Sequence, residues 1–413
     1  MCVTLERAVV VGASLAGVRA CEALRHEGFQ GDIMCIGDEN HVPYDRPPLS
    51  KKFLSGEWDA DRISLRRPDA IAELGVQWKT GTKAVRLNTG SGVVSLENGD
   101  EVSYDGLIIA TGGMVRRLPN QPNISGVHVL RTLDQAAALR DDLCEGSHLV
   151  VIGAGFIGLE AAATAAQRGV NVTVLEGLPA PLVRALGPQM GTAVAAVHDR
   201  NGVIIRCSVK VARIVGEEGV TGVELSDGEV VPADAVLVGI GVSPSTDWLE
   251  GSGLMLSDGV VCDESLCAGP ANVFAAGDVT RWPNALFTDI EPLMRVEHWT
   301  NAAEQGAMAA RNLLAASKGE PTTPYAAVPF FWSDQFDARI QFLGRTTADS
   351  HAEVVAGDVD AGKFCAMYVT NNRLTGVLGV SMPKLVMPSR ALLSAHTSPD
   401  DARSWFADKV ASA

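Results

Sequence analysis

Two sets of glycines, each followed by an acid, stand at spacings suited to holding a dinucleotide. Gly153, Gly155 and Gly158 form GxGxxG in "VVIGAGFIGLE", and Glu176 falls 18 residues after the last of them. In "RAVVVGASLAGVRA" Gly12 and Gly17 keep the outer positions, Ser14 takes the middle one, and Asp38 closes the run "DIMCIGD". The first glycine of such a turn permits its tightness. The second lets backbone N–H groups approach a pyrophosphate, and the third lets helix pack on strand. The helix N-terminus offers unpaired N–H groups and a positive dipole end to the phosphates, and the acid accepts hydrogen bonds from an adenosine ribose. A lone GxGxxG is weak evidence; two in context, each with its acid, are strong.

A third cluster is "HVPYDRPPLSKKFLSG", residues 41–56. Adjacent prolines fix φ and push the preceding residue away from helix, so this arm is rigid and extended. Ser50 is expected to cap a short helix beginning near Lys51, aiming that ammonium along a fixed direction.

The elements that must position these residues repeat. The first glycines of the two turns, Gly12 and Gly153, lie 141 residues apart. Around each lies a buried-type strand, a glycine turn, an Ala-rich helix and a second strand ending in an acid, which predicts parallel βαβ units. After each unit comes a strand-rich stretch with an NG or DG turn and an apolar strand ending in glycine, "LIIATG" and "VLVGIG". The expected fold is α/β, two Rossmann-like modules with one inserted in the other. The Pro- and Thr-rich stretch "SKGEPTTPYAAVP" (317–329) reads as a linker to a C-terminal α+β domain.

At 413 residues the chain has room for two or three domains. Its 46% hydrophobic and 20% charged residues are those of an ordinary globular protein, and a net charge of −15 argues against general nucleic-acid binding. A strand begins by Ala8, which predicts no signal peptide, and no run approaches the roughly 18 apolar residues of a membrane span. Eight cysteines include no CxxC pair, so reduced thiols in a cytoplasmic protein are expected, with no metal site.

With both modules in view, the chain resembles the glutathione-reductase-like flavoproteins, and specifically the NADH-dependent ferredoxin reductases of bacterial oxygenase systems, the putidaredoxin reductase type. The likeness rests on "GASLAG", "PYDRPPLSK", "LIIATGG", "LRTLDQA", "VVIGAGFIGLE", "VGIGV", "VFAAGDVTR", "VEHWTNAAEQG" and "FFWSDQ", all in family order. It implies an FAD-binding domain over 1–114 and 247–323, an NAD-binding domain over 115–246, and a C-terminal domain over 324–413. Noncovalent FAD would meet Gly12, Ser14, Leu15, Ala16 and Gly17 at its pyrophosphate. Asp38 and Arg46 would lie at its adenosine end, and Arg131, Gly277 and Asp278 along its phosphate and ribityl region. Ala84 and Ala110, Thr111 and Gly112 would line it by backbone. His298 would support the flavin edge, and Trp299 would open a helix whose N-terminus points at the flavin pyrimidine. Gly153, Gly155, Phe156, Ile157, Gly158, Glu176 and Gly241 would form the NADH site. The resemblance pairs Lys51, lying over the flavin, with Glu160 of the second glycine helix. A fixed ammonium and carboxylate there would stabilise the charges that develop in hydride transfer.

The electron acceptor follows from an absence in the sequence. Disulfide reductases need a cysteine pair near the flavin, and single-cysteine relatives carry a thiol after the second strand; here that segment, "HVPYDRPPLSKK", has none. Single-electron transfer to an acidic iron–sulfur ferredoxin, which in turn serves a monooxygenase or dioxygenase, is the leading expectation. Reduction of a small molecule of the monodehydroascorbate or quinone type is the enzymatic alternative. An apoptosis-inducing-factor-like NADH-switched protein is the other. An acidic enzyme docking an acidic ferredoxin needs a local basic surface, for which Arg66, Arg67, Arg295, Arg339 and Arg345 are candidates.

Overall fold

The computed structural model describes residues 5–412, which fall into two compact units. The first comprises 5–45, 61–114 and 243–329; the second comprises 46–60, 115–242 and 330–412.

In the first unit five parallel strands run in the order Val273–Ala275, Gly106–Ile109, Arg7–Val11, Asp32–Ile36 and Gln77–Lys79. The strand Arg7–Val11 has no alternation of apolar and polar residues. Ala8 through Val11 are buried without a break, as expected for a sheet covered on both faces. The helices Leu15–His26 and Trp299–Lys318 pack closely, because a Cβ on Gly306 would stand 2.2 Å from the Ala16 carbonyl oxygen. The strands Ala84–Asn88, Val93–Leu96 and Glu101–Ser103 form an antiparallel meander, turned at Gly99 with φ of +88°.

The second unit repeats the plan. Its parallel sheet runs Ile204–Arg206, Asn171–Leu175, His148–Ile152, Ala235–Val238 and Val127–His128. The same unit contains an antiparallel C-terminal sheet in the order Phe330–Gln335, Ala338–Gly344, Arg373–Val380, Lys363–Thr370 and His351–Asp358. The helix Val183–Arg200 bends where Gly187 adopts φ of +73° ahead of Pro188.

Among the described residues no helix is long and apolar enough to cross a membrane, and no cluster of His, Cys, Asp or Glu could hold a metal ion.

Candidate active site

The arm around Lys51 is a short 3-10 turn, Pro47–Ser50, and Lys51 closes it. This differs from the helix expected to start after Ser50. The prolines set the turn, and Ser50 is left with its hydroxyl directed elsewhere: it donates to Glu160 Oε2 at 2.5 Å. The arm is fastened along its length. Thr164 donates to the Ser50 carbonyl at 2.8 Å, and Arg168 donates to the Leu54 carbonyl at 2.8 Å. The guanidinium of Arg140 sits 4.8 Å from the centre of the Phe53 ring.

Lys51 Nζ then meets Glu160 Oε2 at 2.6 Å. The pair is nearly dry, the two side chains being 16% and 3% exposed. Glu160 lies on the helix Phe156–Gln167, and its other oxygen accepts from Ser333 Oγ at 2.7 Å. A buried carboxylate costs several kcal/mol unless it is paired and hydrogen-bonded. One ammonium and two hydroxyls supply that compensation.

Each glycine turn has the close contacts that its outer glycines permit. Gly12 and Gly153 have φ of +120° and +105°, and a Cβ on either would strike the carbonyl oxygen of Ala110 at 2.1 Å or of Gly239 at 2.5 Å. A Cβ on Gly17 or Gly158 would strike the carbonyl of the turn's own first glycine, at 1.9 Å and 2.3 Å. The middle position is different. A Cβ on Gly155 would meet nothing within 4 Å, so the protein's own packing does not require a glycine there. The first turn carries Ser14 at the equivalent place.

Fit to a dinucleotide can be judged from helix capping. The helix Leu133–Asp142 closes itself with a capping box made by Thr132 and Gln135. The helices following Ser14 and Gly155 have no side-chain cap, and the space before Gly155 is the kind of cradle a pyrophosphate fills. Glu176 is fixed beside it, accepting from the backbone N–H groups of Ala154 at 2.7 Å and Leu178 at 2.9 Å. Gly241, with φ of +104°, follows the strand Ala235–Val238 in the same unit. Phe156 packs edge-on against Phe331 at 4.6 Å, and Ile157 is 47% exposed.

In the first unit the candidates gather at the carboxyl ends of the parallel strands, where ligands of such sheets bind. Gly12 to Gly17 follow Arg7–Val11, and the exposed Asp38 follows Asp32–Ile36. Ala110, Thr111 and Gly112 follow Gly106–Ile109, with Thr111 donating to the Ser245 carbonyl at 2.9 Å. Gly277 and Asp278 follow Val273–Ala275, and the Gly277 N–H donates to Gln305 Oε1 at 2.9 Å. Ala84 is buried at the start of its strand. Trp299 is the first residue of its helix, after His298, and its indole N–H donates to Asp45 at 2.6 Å. Arg46 and Arg131 belong to the second unit, where the Arg46 guanidinium donates to the Arg131 carbonyl at 2.5 Å.

Ser50, Ser333 and Asp45 were not singled out by sequence reasoning as contacts of these groups. All three lie inside the quoted motifs "PYDRPPLSK" and "FFWSDQ", which was the available signal.

Cys21 and Cys35 do not make a relay. Both are fully buried, and the hydrogen bond that the Cys35 S–H makes to Cys21, together with burial, holds the Cys35 thiol well above its ordinary range. Of the candidate docking arginines, Arg66 is paired with Glu22, and Arg295 is paired with Asp258 and Glu297. Arg67 and Arg339 have side chains 87% and 54% exposed.

Two glycine cradles on two parallel sheets, with a lysine fixed on a helix glutamate, define a two-dinucleotide oxidoreductase. The chain belongs to the pyridine nucleotide-disulphide oxidoreductase family, whose description matches residues 6–306, and a reductase C-terminal domain matches residues 330–411. It is 39% identical to rhodocoxin reductase of Rhodococcus erythropolis, over 94% of this chain and 89% of that protein. It is 34% identical to the ferredoxin–NAD(+) reductase component of the p-cumate 2,3-dioxygenase system of Pseudomonas putida, over 97% and 96% of the two chains. Among solved structures it is similar to the reductase of the covalent putidaredoxin reductase–putidaredoxin complex, with a TM-score of 0.89 and 32% identity, covering 96% and 95% of the chains.

Proposed function

We propose that this protein is an FAD-dependent NADH:ferredoxin oxidoreductase, cytoplasmic, which passes electrons from NADH to an acidic iron–sulfur ferredoxin serving an oxygenase. The observation that carries the reading is the dry Lys51–Glu160 pair, mounted on a dinucleotide-type helix and reached by an arm without cysteine. The names of its relatives, reductases of rhodocoxin and of a dioxygenase system, support it.

In this reading the FAD-binding domain is 1–114 with 247–323, the NAD-binding domain 115–246, and the C-terminal domain 324–413. The residues Gly12, Ser14, Leu15, Ala16, Gly17, Asp38, Arg46, Ala84, Ala110, Thr111, Gly112, Arg131, Gly277, Asp278, His298 and Trp299 hold FAD, with Lys51. When bound, FAD supplies the ability to take up a hydride and give up electrons singly. The N–H groups opening the Phe156 helix hold the NADH pyrophosphate, and Glu176 holds its ribose hydroxyls. The Glu160 carboxylate favours the positive charge a dihydronicotinamide acquires on losing hydride, and the Lys51 ammonium favours the negative charge arising opposite it. Both charges are fixed before reaction, so little reorganisation is needed.

NADH-driven reduction of cytochrome c, with and without candidate ferredoxins, tests the reading. Ferredoxin should be required for rapid turnover. The ferredoxin-dependent rate should fall steeply with salt, because exposed charges are screened beyond about 8–10 Å, whereas NADH–ferricyanide activity falls much less. Charge reversal at Arg67 or Arg339 should raise the KM for ferredoxin alone. Rapid quinone or monodehydroascorbate reduction without any ferredoxin effect would replace this reading with that of a small-molecule reductase.

A further inference from the structure

Behind Glu160 runs a line of buried polar side chains that the reading above does not use. Ser333 and Gln335 lie two residues apart on the strand Phe330–Gln335 and so share a face with Phe331. Glu160 lies four residues after Phe156 and so shares a face of its helix. The two faces meet in register: Phe331 on Phe156 at 4.6 Å between ring centres, and Ser333 on Glu160 at 2.7 Å. Gln335 Nε2 donates to Ser333 Oγ at 3.0 Å, and Gln335 Oε1 lies 2.8 Å from His198 Nε2 on the helix Val183–Arg200. Glu160, Ser333, Gln335 and His198 are all buried. Four polar groups in succession cost stability in an apolar interior unless every one is satisfied.

Only one polarity satisfies the three bonds that link them. The Glu160 carboxylate only accepts, so Ser333 spends its single proton on it. The Ser333 oxygen must then accept, and Gln335 turns its NH2 toward it. Gln335 Oε1 is left facing His198, which must donate and is therefore the Nε2–H tautomer. His198 Nδ1 has no hydrogen-bond partner. Every donor points toward the carboxylate.

We propose that Ser333, backed by Gln335 and His198, is a positioning residue for hydride transfer. It holds Glu160 Oε1, so that Oε2 alone is turned to Lys51 and Ser50. The C-terminal sheet thereby sets the charge geometry of the NADH site. The inference rests on the proposed role of Glu160 in the reductive half-reaction.

The test is a cycle of S333A, E160A and the double variant, read as the rate of flavin reduction by NADH in anaerobic stopped flow. Loss of the hydroxyl frees one carboxylate oxygen, and misplacement of a reacting-site group costs up to about 100-fold. S333A should slow reduction about tenfold or more in the Glu160 background and have no effect in the E160A background. A wild-type rate in S333A while E160A is slow overturns this inference alone. Equal slowing by S333A in both backgrounds overturns it too, since Ser333 then acts independently of Glu160. An unchanged E160A removes the reading of the site and this inference with it. A measurement independent of turnover is nitrogen NMR of histidine-labelled holoenzyme, with the His198 signal assigned by its loss in H198N. A bare Nδ1 and protonated Nε2 are expected; the opposite tautomer breaks the line and overturns the proposal.

Discussion

Replacing Lys51 with Met tests the central pair most directly, because the structure sets opposite consequences for its two members. At 2.6 Å and an effective dielectric constant of 20, the gross attraction is roughly 6 kcal/mol, most of it offset by desolvation. Lys51→Met leaves the Glu160 carboxylate buried with only the hydroxyls of Ser50 and Ser333. Stranding a buried charge in this way costs about 3–5 kcal/mol. Glu160→Ala strands an ammonium instead, and at 16% exposure Lys51 reaches water more readily than Glu160 does at 3%. Lys51→Met should therefore be the more destabilising of the two. The double variant should be more stable than Lys51→Met alone, since it removes the stranded anion.

Catalysis should respond differently from stability. In the proposed function each charge is one electrostatic contributor at the reacting centre, and loss of one such contributor costs about 100-fold, or about 2.7 kcal/mol. Both single variants should keep FAD yet slow flavin reduction by about that factor in anaerobic stopped flow, whatever their order in thermal unfolding. Unchanged reduction rates in both would reduce the pair to a structural salt bridge. A double variant no more stable than Lys51→Met would refute the account of its burial.

NADH should be strongly preferred over NADPH, since Glu176 in its proposed place at the ribose would repel a 2′-phosphate. Glu176→Gln with Gly177→Arg should shift the ratio of kcat/KM toward NADPH, because a Cβ at Gly177 meets only the Val209 carbonyl at 3.8 Å; similar wild-type efficiency with both cofactors would contradict the assignment. Stability should fall as pH drops below about 6.5. Burial holds the His198 imidazole below its usual value, so the unfolded chain takes up the proton first, and stability is lost as pH falls toward the depressed folded value, at up to about 1.4 kcal/mol per pH unit. His198→Asn should flatten that dependence in urea unfolding followed from above the ordinary histidine value of about 6.5 downward, and an identical slope would remove His198 as its source.

What was legible in the sequence was whatever is local or repeated. The glycine turns, their acids and the βαβ order follow from spacing and apolar runs, and Gly12, Gly153, Gly17 and Gly158 each meet the close contact their positions imply. The Lys51–Glu160 pair was reachable only through the family motifs, because its members stand 109 residues apart. The contacts of Ser333 and His198 left no such trace, although Ser333 stands inside the motif "FFWSDQ". Ser333 bonds Glu160 across 173 positions and His198 bonds Gln335 across 137, and single hydroxyls or imidazoles leave no periodic trace. Ser50 was misread for a related reason. A serine after two prolines looks like a cap, and only the tertiary arrangement reveals that a buried carboxylate takes its proton.

The two glycine helices, alike in sequence, are set differently in their units, and that difference bears on how each ligand is kept. Leu15, Ala16 and Gly17 at the start of the first are buried. Gly306 closes on the Ala16 carbonyl, and a Cβ on Gly277 would stand 3.2 Å from the Ala16 methyl, so this helix start is clasped from two sides. The start of the second is open: Gly155 is exposed and Ile157 is 47% exposed. A clasped cradle suits a resident cofactor and an open one suits a substrate that must leave each cycle. The purified protein should therefore be yellow, keep FAD through gel filtration, and release all of it to the supernatant on acid or heat denaturation, as no covalent link is expected. NAD+ should be lost in the same filtration and rebind rapidly. Replacing Gly306 with Val would wedge its side chain against the Ala16 backbone, lower FAD retention, and leave NAD+ affinity of the FAD-replete fraction unaltered. Retention of NAD+ with loss of FAD in the wild type would reverse the assignment of the two cradles.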